Sequence, residues 1–298
     1  MANLTLKQFR YFEALAQHGH FGHAADASGI SQPALSMQIK DMEADLGVAL
    51  FERGPRHVRL TRFGEEFAPR VRDILRSVDE VSDLARLSQN TLSGRLRIGV
   101  IPTIAPYLLP SFIGQLTHDH PTLDLQIRET LTPRLIEELA QGRIDAAIVA
   151  LPVSEPSFEE VEIFEENFVL IRPDIDADRA VPDAADLAKM QLLLLEEGHC
   201  FRDQALAFCS MRSPLQREGL DGSSLSTLVQ LVGAGIGVTL IPDMAVSVET
   251  RSANVSVARF KGVQPKRTIG MIWRKTSPLA DQFRLIADIV ARAAKAGR

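Results

Sequence analysis

The sequence predicts an α/β protein with an N-terminal winged helix-turn-helix, a linker helix and a two-lobed α/β domain. Three observations carry this. A short helix, a turn and a longer helix open the chain and lead into a basic hairpin. An apolar stripe of heptad type follows. Beyond residue 91, strand-like and helix-like segments alternate. The boundaries read as 1–62, 63–90 and 91–298. The last part divides into one lobe of about 95–165 with 268–298 and a second of about 166–267.

Leu6, Phe9, Phe12, Leu15 and Ala16 recur at helical spacing, and Gly19 stops that helix. A second helix reads from about Phe21 to Ala27, and Ser28-Gly29-Ile30 is a turn. Ser31 is a good N-cap, and Pro33 lies in the first turn, where a missing N–H costs nothing. The third helix runs through Ala34, Leu35, Met37, Ile39 and Met42 to Leu46, ending at Gly47. Such a helix enters the DNA major groove by its N-terminal residues. Here these are Ser31, Gln32, Pro33, Ser36 and Gln38, small or amide side chains suited to base edges and phosphates. Arg53, Arg56 and Arg59, with Arg62, form a basic hairpin around Gly54-Pro55 that suits phosphate or the minor groove. A plain helical packing domain with solvated arginines would not need this order of turn, cap and hairpin. The net charge of -5 means that any DNA contact is local. Asp41, Glu43, Asp45 and Glu52 nearly offset the local basic residues, so a dimer or larger assembly is expected.

From Phe63 to about Ser88, the residues Phe67, Val71, Ile74, Val78, Val81, Ala85 and Ser88 alternate at four and three. That is a heptad seam, serving a second copy or the chain's own C-terminal domain. Pro69 either bends this helix or marks its start. Thr91-Leu92-Ser93-Gly94 breaks it.

Next, Arg95–Ile101 reads as a strand, then a helix rich in Leu108, Leu109, Phe112, Ile113 and Leu116. Leu123–Arg128 is a strand, Pro133–Gln141 a helix and Asp145–Ala150 a buried strand. Phe168–Arg172, Leu192–Leu195, the helix carrying the cysteines, Leu228–Pro242 and Thr268–Trp273 repeat the pattern. The expectation is a mainly parallel sheet with ligands at the carboxyl ends of strands, where Thr103 and Thr132 fall. The glycines at 233, 235 and 237 lead from helix to strand, the wrong order for a phosphate loop, and the P-loop lysine is missing. No cofactor and no metal are expected.

The N-terminus lacks signal-peptide features and no apolar run reaches the ~18 residues that span a bilayer, so a cytoplasmic protein without membrane contact is expected. Thiols are kept reduced there. The only two cysteines, Cys200 and Cys209, lie nine positions apart, one beside His199 and near Arg202. That pattern points to redox chemistry, and a disulfide here would be transient and regulatory.

The chain resembles the LysR-type transcriptional regulators. The resemblance is carried by Ala24-Ala25, Ser31-Gln32-Pro33-Ala34-Leu35-Ser36, Gln38-Ile39, Leu46-Gly47, Leu50-Phe51-Glu52-Arg53, Thr61 and Gly64. It is closer still to the peroxide-sensing members, through Ile101–Pro110, Gly198–Ala205 with Phe208-Cys209, and Arg267–Gly270. Residues 174–186 and 211–222 resemble them less. The resemblance implies an effector domain like periplasmic binding proteins, and a non-enzymatic regulator of oxidative-stress genes. It implies that Cys200 is the peroxidatic thiol and Cys209 its resolving partner. Thr103, Thr132, His199 and Arg267 would surround the peroxide, with Asp203 a further candidate. The implied partners are promoter DNA, hydrogen peroxide, RNA polymerase, and a homodimer assembling to a homotetramer.

A helix over 200–209 would separate its ends by about 13.5 Å and turn them to opposite faces. A disulfide needs Cα atoms within about 7 Å, so oxidation must unwind or bend the segment. A LysR regulator with inert cysteines and a small organic ligand in the cleft is the alternative. A thiol peroxidase has no need of a DNA reader, and a periplasmic solute binder needs a signal peptide.

Overall fold

The computed structural model describes residues 4–54, 57–87, 92–209, 222–262 and 264–296. The chain forms two compact units, Met1–Ser88 and Gln89–Arg298.

In the first unit, α1 (Leu6–His18), α2 (Phe21–Ala27) and α3 (Gln32–Leu46) follow the periodicity of the sequence. Thr5 caps α1 in a reciprocal capping box with Gln8. β1 (Phe51–Arg53) and β2 (Val58–Leu60) pair antiparallel as the wing. The tip residues 55–56, including Arg56, lie outside the described residues. Phe12 anchors the core, with its ring 5.2 Å from Phe51 and 5.3 Å from Phe67.

α4 (Arg62–Leu87) starts before Pro69, so this proline sits inside the helix and does not mark its beginning. The seam divides. Phe67 and Val71 pack into the unit's own core, because α4 lies against α1 and the wing. Ile74 and Val81 are exposed, Val81 at 67%. Nothing is described of the Ala85 side chain or of Ser88.

The second unit is built on β3 (Gly94–Val100), β4 (Leu123–Glu129), β5 (Ala146–Leu151), β6 (Phe158–Pro173), β7 (Leu192–Leu193), β8 (Val238–Pro242), β9 (Val255–Ala258) and β10 (Lys266–Arg274). The helices are α5 (Ala105–Asp119), α6 (Thr132–Ala140), α7 (Ala184–Leu187), α8 (Cys200–Phe208), α9 (Leu225–Gly233), α10 (Val246–Glu249) and α11 (Ala280–Ala296). The strand order is β4-β3-β5-β10-β6-β8-β7, with β9 also on β6.

The sheet is mixed rather than mainly parallel. Among the described residues, four of this sheet's strand pairings are antiparallel and three parallel. The cause is the chain path: β6 and β10 run antiparallel to each other and carry the chain between the lobes. β6 is a 16-residue strand whose first part, to Asn167, pairs with β10 and whose second part, from Phe168, pairs with β8 and β9. Its first part was illegible because Glu159, Glu160, Glu162, Glu165 and Glu166 interrupt the apolar pattern. α11 went unread as well. It buries Phe283, Ile286 and Val290, with the Phe283 ring 5.5 Å from that of Trp273.

Gly270 lies at the bulge between β10 and β6. A Cβ there would overlap Leu151 Cδ1 and stand 2.6 Å from the Val161 carbonyl oxygen. Gly270→Ala is expected to destabilise the protein by about 1–3 kcal/mol through overpacking. Urea unfolding should show a lower midpoint at unchanged slope.

Candidate functional site

The second unit's site grows from one buried arginine. Arg267, at the start of β10, is 3% exposed, and Glu166 on β6 is 2% exposed. Arg267 Nε and Nη2 donate to Glu166 Oε2 at 2.9 and 2.8 Å. Nη1 donates to Thr103 Oγ1 at 2.8 Å and Nη2 to the Thr103 carbonyl at 3.1 Å. Glu166 Oε1 accepts the Met244 N–H at 3.0 Å. The guanidinium also lies 5.5 Å from the Phe201 ring centre, a cation–π contact with the first turn of α8.

The turn before α8 is set by shape. Gly198 has φ +95°, and a Cβ there would come 3.0 Å from Leu131 Cδ1, the residue before α6. Gly198 thus lets the α8 entry approach the start of α6. There Thr132 Oγ1 is buried without a hydrogen-bond partner among the described residues. His199 is the buried N-cap residue of α8, but its side chain makes no cap bond. Burial holds its pKa below the ordinary histidine value, opposed by the charge of Glu196. Arg202 ties the helix down, with Nη1 donating to the Leu195 carbonyl at 2.7 Å.

Cys200 begins α8, half-buried, and Cys209 caps its far end, buried at 3%; both are free thiols. Burial pushes the Cys209 thiol pKa up. Cys209 belongs to the lobe's apolar core with Phe201 and Ala205, and neighbouring Phe208 packs on Phe260 at 5.1 Å. Asp203 is exposed on the first turn of α8 and does not line the cavity beside His199.

That cavity has a volume of about 150 Å³ and is bordered by Thr103, His199, Tyr107, Ser226 and Glu249. Tyr107 Oη donates to Glu249 Oε1 at 2.6 Å, and Ser226 Oγ donates to Glu249 Oε2. Burial, then the Glu249 hydrogen bond, raises the Tyr107 pKa, so the phenol stays a donor. Among the described residues, no cluster of three or more His, Cys, Asp or Glu is placed to hold a metal.

In the first unit, Ser31 Oγ accepts the Ala34 N–H at 3.4 Å as the N-cap of α3. Ser31, Gln32 and Pro33 are exposed, while Ser36 and Gln38 are half-buried. Arg53 is engaged within the protein: Nη2 donates to Glu43 Oε2 at 2.9 Å, and the guanidinium lies 5.6 Å from the Phe21 ring centre. Glu43 Oε1 accepts the N–H groups of Leu50 and Phe51 at 2.8 and 3.2 Å. Glu43 therefore braces the wing, so it is not simply a surface acid opposing DNA. Arg59 is exposed, across the ladder from Glu52.

Residues 6–65 match the bacterial regulatory helix-turn-helix protein, lysR family, and residues 89–295 match the LysR substrate binding domain. The chain belongs to the LysR family. It is 39% identical over 289 residues to the DNA-binding transcriptional dual regulator OxyR of Escherichia coli K12, covering 96% of this chain and 95% of that one. A probable hydrogen peroxide-inducible genes activator of Streptomyces viridosporus is 42% identical over 295 residues, covering 97% and 94%. Among solved structures, a full-length cysteine-to-aspartate OxyR from Pseudomonas aeruginosa aligns with TM-score 0.78 at 36% identity, covering 97% and 95%. A hydrogen peroxide-bound cysteine-to-serine mutant of Corynebacterium glutamicum OxyR aligns with TM-score 0.67 at 34% identity, covering 98% and 93%.

Sequence reasoning about this LysR-family chain missed Glu166, Tyr107, Ser226 and Glu249, and marked Arg202 only as a cation near Cys200. Only Glu166 left a signal, an acid next to the apolar run Phe168–Arg172. The others became visible through contacts between distant segments.

Glu166→Ala would leave the Arg267 charge buried without its carboxylate, at a cost of about 3–5 kcal/mol. Replacing both residues with apolar side chains should recover much of that loss in urea unfolding. For His199 the folded pKa lies below the unfolded value of about 6.5. Its contribution is present above that pH and lost as pH falls through the folded pKa. Melting temperature should fall more for the native protein than for His199→Gln between pH 7 and pH 5.

Proposed function

We propose that the protein is a DNA-binding regulator that senses hydrogen peroxide through Cys200 and records it as a reversible Cys200–Cys209 disulfide, switching oxidative-stress genes. The observation that carries this is the placement of two free thiols at opposite ends of α8, the first beside His199. The similarity to proteins named for peroxide-inducible activation supports it.

The Cys200 thiolate attacks one oxygen of the peroxide. The O–O bond breaks, sulfur becomes sulfenic acid, and the leaving hydroxide takes a proton to become water. Neutral His199 relays that proton, and Thr103 and Thr132 hydrogen-bond and align the peroxide. Arg267 acts through Thr103, whose hydroxyl and carbonyl it holds. Asp203 influences the site only as a charge on the first turn of α8. Cys209 then attacks the sulfenic sulfur, releasing a second water. Two thiols are oxidised as one peroxide is reduced to two waters.

The resolving step requires α8 to open. The nine steps from Cys200 to Cys209 separate their Cα atoms by about 13.5 Å along the axis. Phe208 must leave Phe260, and Cys209 must leave the core, before a bond can form. The cavity of about 150 Å³ is lined by Thr103 and His199 but not by Cys200, Thr132 or Arg267.

At the DNA end, Ser31, Gln32, Pro33, Ser36 and Gln38 face bases and phosphates, and Arg56 and Arg59 serve the wing. Arg53 supports the wing from within through Glu43 and reaches phosphate only by releasing it. Exposed Ile74 and Val81 on α4 suit a dimer seam. The dimer doubles to a tetramer, works in the cytoplasm and contacts RNA polymerase at promoters; the protein is not an enzyme.

Peroxide titration should consume both free thiols in the native protein and neither in Cys200→Ser. Footprints on a bound promoter should differ in length or bend between reduced and oxidised native protein, and stay constant in Cys200→Ser. An unchanged footprint on full oxidation, or a peroxide response surviving in Cys200→Ser, would sink the reading.

A further inference from the structure

We propose that Met37 is a specificity-determining residue that reads the 5-methyl group of a thymine in the major groove. This deepens the DNA-binding reading above and rests on it. Met37 is 62% exposed on α3, while Leu35, Ile39 and Met42 are fully buried. It lies one turn beyond exposed Pro33 on the same face, with Ala34 between them also exposed. These residues form an apolar strip on the exposed face of the helix that would enter the groove.

The strip lines an open groove of about 730 Å³, together with Lys7, Tyr11 and Gln38. Its chemistry narrows the occupant. Lys7 is the charged residue on its walls, and residues 31–40 contain no acid. Of the acids further along α3, Glu43 is bound to Arg53, and the exposed Asp41 and Asp45 do not line the groove. The groove lining thus has one cation, Lys7, beside an apolar floor and carries no acid, which suits a phosphate-lined duplex. A methionine side chain has no N–H or O–H to donate and only a weak sulfur acceptor. On the major-groove edges of the bases, the apolar feature is the thymine 5-methyl group. A long, unbranched thioether can follow that methyl without a strained rotamer. Gln38 and Gln32 then supply hydrogen bonds to neighbouring base edges.

The test uses the full-length reduced protein and a duplex that it enriches from a random pool. Each thymine in the recovered half-site is replaced singly by deoxyuridine, which removes the methyl and leaves every hydrogen-bonding group in place. At one thymine per half-site, the replacement should weaken binding of the native protein about three- to five-fold, the effect of about one buried methyl. Met37→Ala should bind the thymine duplex more weakly by a similar factor and be indifferent to the replacement. Met37→Leu should retain most of the sensitivity. Equal deoxyuridine effects on native protein and Met37→Ala at every position would overturn the proposal, as would unchanged affinity of Met37→Ala. Loss of self-association by Met37→Ala with DNA affinity intact would also overturn it, making the groove a protein-docking surface. Failure to enrich any duplex would instead overturn the DNA-binding reading itself. Because Met37 is exposed, equal melting temperatures of the variants serve as the folding control.

Discussion

The buried pair of Arg267 and Glu166 organises the second unit. One guanidinium joins the start of β10, the middle of β6, the turn after β3 and, through Phe201, the first turn of α8. Glu166 extends the network to the backbone at Met244. Two opposite charges taken out of water repay their desolvation only when nearly every donor and acceptor is used. Here four hydrogen bonds engage the guanidinium, and a backbone N–H takes the other carboxylate oxygen. The geometry around Thr103 is therefore fixed by a network that cannot shift one member without exposing another.

α8 is held differently at its two ends. At the front, Arg202 and Phe201 bind it to Leu195 and Arg267, and Gly198 permits the tight entry. At the back, attachment is apolar: Phe208 on Phe260 and Cys209 in the core. Directional polar bonds resist small displacements, while apolar packing can be exchanged for another packing of similar area. On the proposed chemistry, a helix fastened in this way would open more readily from its C-terminal end. Phe168 extends the same apolar contact to β6, its ring 4.7 Å from Phe201. Repacking near α8 therefore reaches the strand that runs through both lobes.

Much of this was legible in the sequence where local rules dominate. Ser31 and Pro33 announce α3, Gly47 its end, and the apolar runs at 98–101 and 146–150 their buried strands. Legibility failed where tertiary contacts override local pattern. The glutamates of β6 hid a strand, since they alternate with few apolar residues and are satisfied by distant partners such as Arg267, Lys266 and Arg284. Met37 fits the helical period yet faces outward, because α3 is packed on one side only. Arg53 looked like a free cation because Glu43 lies ten positions away and meets it only once the wing folds. The cysteine pair could be found by counting. Its setting could not, since Thr103, Glu166 and Arg267 come from three separate stretches of chain.

The burial of Cys209 has a consequence in time. On the proposed chemistry, oxidation of Cys200 needs only that peroxide arrive, whereas resolution waits for the core around Cys209 to open. Cys209 is 3% exposed and its thiol is held protonated, so the second step is gated by local unfolding of the protein. A brief pulse of oxidant then leaves a sulfenic acid that cellular thiols can erase before the core yields. On that chemistry, the packing of one small side chain would separate the arrival of peroxide from its record in time.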